Sequence, residues 1–185
     1  AIREPVMENR RDDIEPLIRA LRRTAAHFVN PANHRKNSEI LARSEYLDGN
    51  AKVIRRDISD QLLLSRGGDI YEYPDFMFQY REAANFPWAS QAAWLYTQMV
   101  RWDRLEFDAD EAARAARVFR PDVYRSALKG TGEPLPSASS KVEGSLQRST
   151  AVGTQQGSII LEPNRFFDGK AFDPADFPAY LASLP

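Results

Sequence analysis

The sequence predicts a mainly α-helical chain with little strand and one long irregular arm. Apolar residues recur at helical spacing in several segments that open on capping residues. The one strand-like run, residues 70–80, contains Pro74, which suits an edge or an irregular segment rather than a central strand. Residues 129–158 are rich in Gly, Ser, Thr and Pro and nearly empty of large apolar side chains. A structureless stretch of that length inside a domain reads as a linker or a wrapping arm. The predicted organisation is a helical domain over 1–128, the arm over 129–158, and a C-terminal segment over 159–185 that packs back.

The elements follow in order. Ile14, Leu17, Ile18, Leu21, Ala25 and Phe28 make one apolar helical stripe, entered at Asp12 or Asp13, with Pro16 in the first turn. Arg19, Arg22 and Arg23 lie off that stripe, as a solvated or docking face. Asn30 and Pro31 suit the N-cap and first position of a second helix carrying Ile40 and Leu41. The "DGN" at 48–50 breaks it, and a third helix is expected over 50–63. Helices are then expected over 89–103, over 108–118 with Asp108 as cap, and from Pro121. Asp173 and Pro174 look like the cap and first residue of a final short helix.

Composition narrows the function classes. The chain has 185 residues, 43% hydrophobic and 28% charged, with net charge −1. No excess positive field steers it toward nucleic acid. A small-anion site needs only a few oriented donors and stays open. There is no cysteine, so disulfides and thiol chemistry are excluded. No apolar run approaches the roughly eighteen residues of a membrane-spanning helix. The N-terminus "AIREPVMENRR" has neither initiator Met nor an apolar leader and reads as mid-protein. His27 and His34 flank the Asn30–Pro31 break outside any metal-ligand pattern, and no nucleophile or phosphate-loop motif occurs. The expectation is a non-enzyme without catalytic residues, metal or cofactor.

One segment stands out. Residues 84–102, "ANFPWASQAAWLYTQMVRW", hold all three tryptophans. On a helix from Ala89, the residues Ala92, Leu95, Tyr96 and Met99 form a stripe with Trp102 below, expected to face the core. Ahead of it, Pro87 fixes a bend and holds Phe86 extended. Asn85, Trp88, Ser90 and Gln91 are the candidate ligand contacts.

The run "PDFMFQYREAANFPWASQAAWLYTQMVRW" resembles the substrate-binding proteins of nitrate/nitrite/bicarbonate-type ABC importers. Ser90, Trp94, Leu95, Thr97, Gln98, Met99, Arg101 and Trp102 carry the resemblance. "RPDVYRSAL" and "FFDGKAFDPADFPAYL" extend it downstream. Two positions depart from the family pattern: Gln91 stands where histidine is common, and Asp103 where glycine is usual. The resemblance implies the helical C-terminal portion of a type II periplasmic-binding-protein-like α/β clamshell. It implies as partners a missing N-terminal lobe, an ABC permease and a small inorganic oxyanion, and a periplasmic location whose export signal lies in the missing part. A homodimer through an exposed aromatic surface is a further expected partner. The alternatives are a cytosolic anion sensor of the same fold and a stand-alone helical interaction module.

Overall fold

The computed structural model describes residues 2–74 and 76–184. In chain order its elements are α1 (Glu4–Asn9), α2 (Arg11–Phe28), α3 (His34–Leu41), α4 (Ala51–Asp57), β1 (Gln61–Leu63), β2 (Ile70–Glu72), α5 (Ala89–Arg101), α6 (Ala109–Ala116), α7 (Pro121–Leu128), β3 (Thr150–Val152), β4 (Ile159–Leu161) and α8 (Phe177–Ser183). Short 3-10 turns occupy Pro31–Asn33 and Arg81–Ala83. Helix is thus the main regular structure of the described residues, beside two antiparallel two-stranded ladders, β1–β2 and β3–β4. The chain forms two compact units, Ala1–Ile18 with Phe86–Pro185, and Arg19–Asn85. Residues 129–158 lie within the first of these units, tied to α5 and α7 by long-range contacts.

In the unit Arg19–Asn85, Asn30 caps the 3-10 turn, its Oδ1 accepting the Ala32 N–H at 3.0 Å. The α-helix behind that turn starts only at His34. The basic face of α2 is not uniformly solvated. Arg22 is buried, its guanidinium 3.6 Å from the Tyr80 ring centroid and donating to the Tyr80 carbonyl at 2.8 Å. The helix expected over 50–63 is shorter. It ends at Asp57, and Asp60 turns the chain with φ +59°. Aspartate adopts that left-handed conformation more readily than most L-residues. Here the Asp60 carbonyl accepts the Tyr73 N–H, and its carboxylate accepts the Met77 N–H at 2.9 Å. The following residues enter β1, pairing Leu62 with Tyr71.

The other unit is built on α5. Its core centres on Ala93, Phe172 and Tyr180, with Trp94, Phe166 and Phe177 packed against it. Phe172 is fully buried between the rings of Phe177 and Tyr180, in edge-to-face contact with both. Removing such a ring costs about 3–5 kcal/mol. Residues 129–158 are held rather than loose. Glu143 and Phe172 exchange both backbone hydrogen bonds at 2.9 Å, Ala89 donates to the Ser139 carbonyl, and β3 pairs with β4. The last helix is capped by Asp176, whose carboxylate accepts the Ala179 N–H at 3.0 Å. Asp173, the expected cap, instead closes a turn on the Ala175 N–H.

Candidate functional site

The site is assembled around α5, and its entry explains its orientation. Pro87 and the extended Trp88 set the chain into the helix at Ala89. Phe86 and Trp88 are both buried, their ring centroids 4.8 Å apart at 70°, and Phe86 meets Tyr124 of α7 edge-on at 5.7 Å. The Lys141 ammonium lies 5.6 Å from the Trp88 ring centroid and the Arg125 guanidinium 5.5 Å from that of Phe86. Trp88 is therefore an anchor closed in by Phe86 and Lys141.

Ser90, two residues on, is fully buried. Its hydroxyl donates to the Glu143 carboxylate at 2.6 Å and accepts the Lys141 N–H at 3.1 Å. The Lys141 ammonium pairs with the same carboxylate. A buried carboxylate is costly unless charge and donors are supplied, and this cluster supplies both. It fastens the arm to the first turn of α5. Further along, Trp94 Nε1 and Gln98 Nε2 both donate to the Tyr180 hydroxyl, at 3.0 and 3.3 Å. Trp94 stacks on Phe166 at 5.0 Å. The Tyr96 hydroxyl accepts the Asp108 N–H at 3.0 Å, joining α5 to the start of α6.

The expected core stripe is corrected at three of its five residues. Ala92 and Tyr96 are buried as expected, together with Ala93, Thr97 and Gln98, whereas Leu95, Met99 and Trp102 stand open. Those three line an open groove of about 520 Å³ with Ala92, Ala115, Val118 and Phe119. A second cleft of about 310 Å³ lies beside it, lined by Trp94, Gln98, Trp102 and Phe166 and by the Arg101–Asp168 ion pair at 3.6 Å. Of the four candidate ligand contacts, Trp88 and Ser90 point inward and are engaged as described, while Asn85 and Gln91 are exposed. Asn85 ends one compact unit, and the other three lie in the other unit. Glu143, Lys141, Asp168 and Tyr180 complete the surroundings of α5. They lie about 50 to 90 positions from their α5 partners, and no local sequence pattern marks them. Among the described residues no group of three or more His, Cys, Asp or Glu side chains could hold a metal ion. No helix among them is long and apolar enough to cross a membrane.

One substituted position is explained by the end of α5. The Arg104 N–H bonds the Met99 carbonyl at 2.9 Å and the Asp103 N–H bonds the Val100 carbonyl at 3.0 Å. Asp103 has φ +53°. This is the six-to-one and five-to-two pairing of a Schellman helix end, whose left-handed residue is most often glycine. The glycine of the family pattern thus has a geometric reason, and this chain retains the geometry with aspartate.

Comparison with known proteins finds relatives over most of the chain. Over 170 residues the chain is 26% identical to the nitrate/nitrite binding protein NrtA of Synechococcus elongatus, covering 91% of this chain and 34% of that protein. It is 28% identical over 160 residues to NrtA of Synechocystis, covering 82% of this chain and 30% of that one. The chain is a relative of the nitrate/nitrite/bicarbonate-type solute-binding proteins. It spans about a third of the length of these curated relatives. A further relative is the bicarbonate transport ATP-binding protein CmpC of Synechocystis, 27% identical over 165 residues, covering 89% of this chain and 21% of that protein. The crystal structure of the periplasmic nitrate-binding protein NrtA from Synechocystis superposes on the whole of this chain and 44% of its own, with a TM-score of 0.75 at 22% identity. That likeness is one of fold. No family model matches the chain. Within the family resemblance, the motif residues Ser90, Trp94, Thr97 and Gln98 act here in internal packing and hydrogen bonding. They hold α5 in place.

Proposed function

We propose that this chain is the helical C-terminal portion of a two-lobed solute-binding protein serving an ABC importer of a small oxyanion such as nitrate, nitrite or bicarbonate. The observation that carries the proposal is the extent of the likeness. It runs through 91% of the chain in sequence to a nitrate/nitrite binding protein and through all of it in fold. The protein binds, closes and docks on a membrane permease in the periplasm, and makes or breaks no covalent bond. Closure follows from the better contacts that the anion makes in the closed form. Gln91 in one unit and Asn85 in the other carry exposed amides, and each by itself is a candidate ligand-side group. Trp88 and Ser90 support Gln91 by fixing the entry to α5. The anion's remaining donors come from polypeptide beyond these residues.

The test is calorimetric titration of nitrate, nitrite and bicarbonate into the full-length gene product, with Gln91→Ala and Asn85→Ala variants beside it. Saturable binding of one of these anions, weakened by at least one substitution at unchanged melting temperature, supports the proposal. Unchanged affinity in both variants would remove these two residues from the site. Absence of binding to all three anions would remove the function.

A further inference from the structure

Two neighbouring residues near the end of the unit Arg19–Asn85 carry unusual backbone. Among the described residues five non-glycine residues have a left-handed φ, and three of them are aspartates, Asp48, Asp60 and Asp103. Aspartate is enriched in that region of backbone space. The other two are adjacent, Glu82 at φ +55° and Ala83 at φ +57°. Neither has the short polar side chain that makes the region tolerable to an L-residue. Each is disfavoured about 5–30-fold against right-handed backbone, and the pair roughly a hundredfold. Strain of this kind persists only where the surroundings over-determine it, and it collects at clamps and switches.

Two arginines hold the turn. Arg22 of α2 is buried, its guanidinium 3.6 Å from the Tyr80 ring centroid and donating to the Tyr80 carbonyl at 2.8 Å. It fixes both the ring and the peptide group just ahead of the strained pair. Arg81 Nη2 donates to the Pro74 carbonyl at 2.9 Å, with its guanidinium 5.6 Å from the Phe78 ring centroid. The Ala84 N–H then closes the turn on the Arg81 carbonyl at 2.9 Å. The Arg81 side chain is half exposed, so its contacts are the weaker ones. Arg22 is desolvated, and a hydrogen bond from a charged group together with a cation–π contact favours the held form by roughly a hundredfold. Grip and strain are thus of the same order, which is the condition for a segment with two accessible forms. All these contacts are internal to the unit Arg19–Asn85.

We propose that residues 80–85 form a strained latch, in which Arg22 holds the turn left-handed at Glu82 and Ala83 and loss of that grip lets the turn relax. Asn85 lies two residues beyond Ala83, so the latch sets where its exposed amide stands. The latch exists whether or not an anion binds there. It is tested by hydrogen exchange, read by mass spectrometry over residues 80–85 of the full-length gene product. The variants are Arg22→Met, Ala83→Gly and the two combined. Methionine keeps an apolar stem at position 22 and removes the donors. Exchange over 80–85 should rise at least about tenfold in Arg22→Met while the β1–β2 ladder stays protected. The double variant should recover most of that protection, because glycine holds a left-handed turn without a grip. Ala83→Gly alone should raise the melting temperature by about 1–4 °C, a readout that stands even where Arg22→Met does not fold. Unchanged exchange over 80–85 in Arg22→Met, a rise spread over the whole unit, or a double variant no better than Arg22→Met overturns the proposal. So does an Ala83→Gly protein no more stable than wild type.

Discussion

Replacing Asp103 with glycine should stabilise the protein. Asp103 holds φ +53° at the left-handed position of the helix end, its N–H bonded to Val100 and the next N–H to Met99. A left-handed conformation costs an L-residue about 1–2 kcal/mol, with aspartate at the lower end. Its carboxylate also sits at the negative end of the α5 dipole, an unfavourable placement of about 0.3–1 kcal/mol at low salt. Against these, glycine loses about 0.4–1 kcal/mol more backbone entropy on folding. The difference is a gain of about 0.5–1 kcal/mol, or about 1–4 °C in melting temperature for a chain of this size. Three variants separate the contributions. Asp103→Asn keeps the tolerance for positive φ and removes the charge, so its gain should shrink as salt is added. Asp103→Ala keeps the strain without local polar compensation and should fall below the wild type. Thermal and urea unfolding by circular dichroism measure all three. A glycine variant less stable than wild type, or an alanine variant equal to the glycine one, would refute the left-handed helix end.

Other substitutions probe how the arm is held. Gly144 has φ +72°, and a Cβ there would lie 2.5 Å from the Phe166 ring, itself stacked on Trp94. Gly144→Ala should therefore cost about 2–4 kcal/mol in urea unfolding, from overpacking and backbone strain together. Ser90→Ala withdraws a 2.6 Å donor from the buried Glu143 carboxylate and should cost about 1.5–3 kcal/mol. A loss within measurement error would mean that water replaces the hydroxyl. Acid should weaken the start of α7. The Arg120 guanidinium hydrogen-bonds Asp122 and holds its carboxyl below the ordinary 3.8. The folded state therefore binds that proton less readily than the unfolded state. The stabilisation is present above about pH 4 and lost as pH falls through the lower folded value. Both groups are partly solvated, so the effect is under about 1 kcal/mol. Stability curves of wild type and Asp122→Asn should run apart above pH 4 and converge below it.

The helices α5, α6 and α7 were legible because their signals are local. Pro87 with Trp88, Asp108 and Pro121 each mark a start within a residue or two of the observed one. The misplaced features depend on partners far along the chain. "DPADFP" offers two capping aspartates, and local chemistry cannot choose between Asp173 and Asp176 when the first is free to close a turn. Residues 61–63 read as helix because their strand exists only through pairing with 70–72. The arm reads as a linker because it is held by Glu143 and Phe172 rather than by apolar runs of its own. On α5 the spacing announced an apolar stripe. Ala93, Thr97 and Gln98 alternate around the helix with Leu95, Met99 and Trp102, so spacing alone did not say which set faces inward. Of the candidate contacts, the composition of the segment could not show that Trp88 and Ser90 are closed in by Lys141 and Glu143.

The two-lobe proposal is tested most directly by titrating nitrate, nitrite and bicarbonate into residues 1–185 alone and into the full-length gene product in parallel. If this chain supplies only part of the anion's surroundings, the full-length protein binds one of the three saturably and residues 1–185 bind none of them at comparable affinity. Binding by residues 1–185 alone, with a Kd of about a micromolar, would contradict the proposal and place the whole site within this chain.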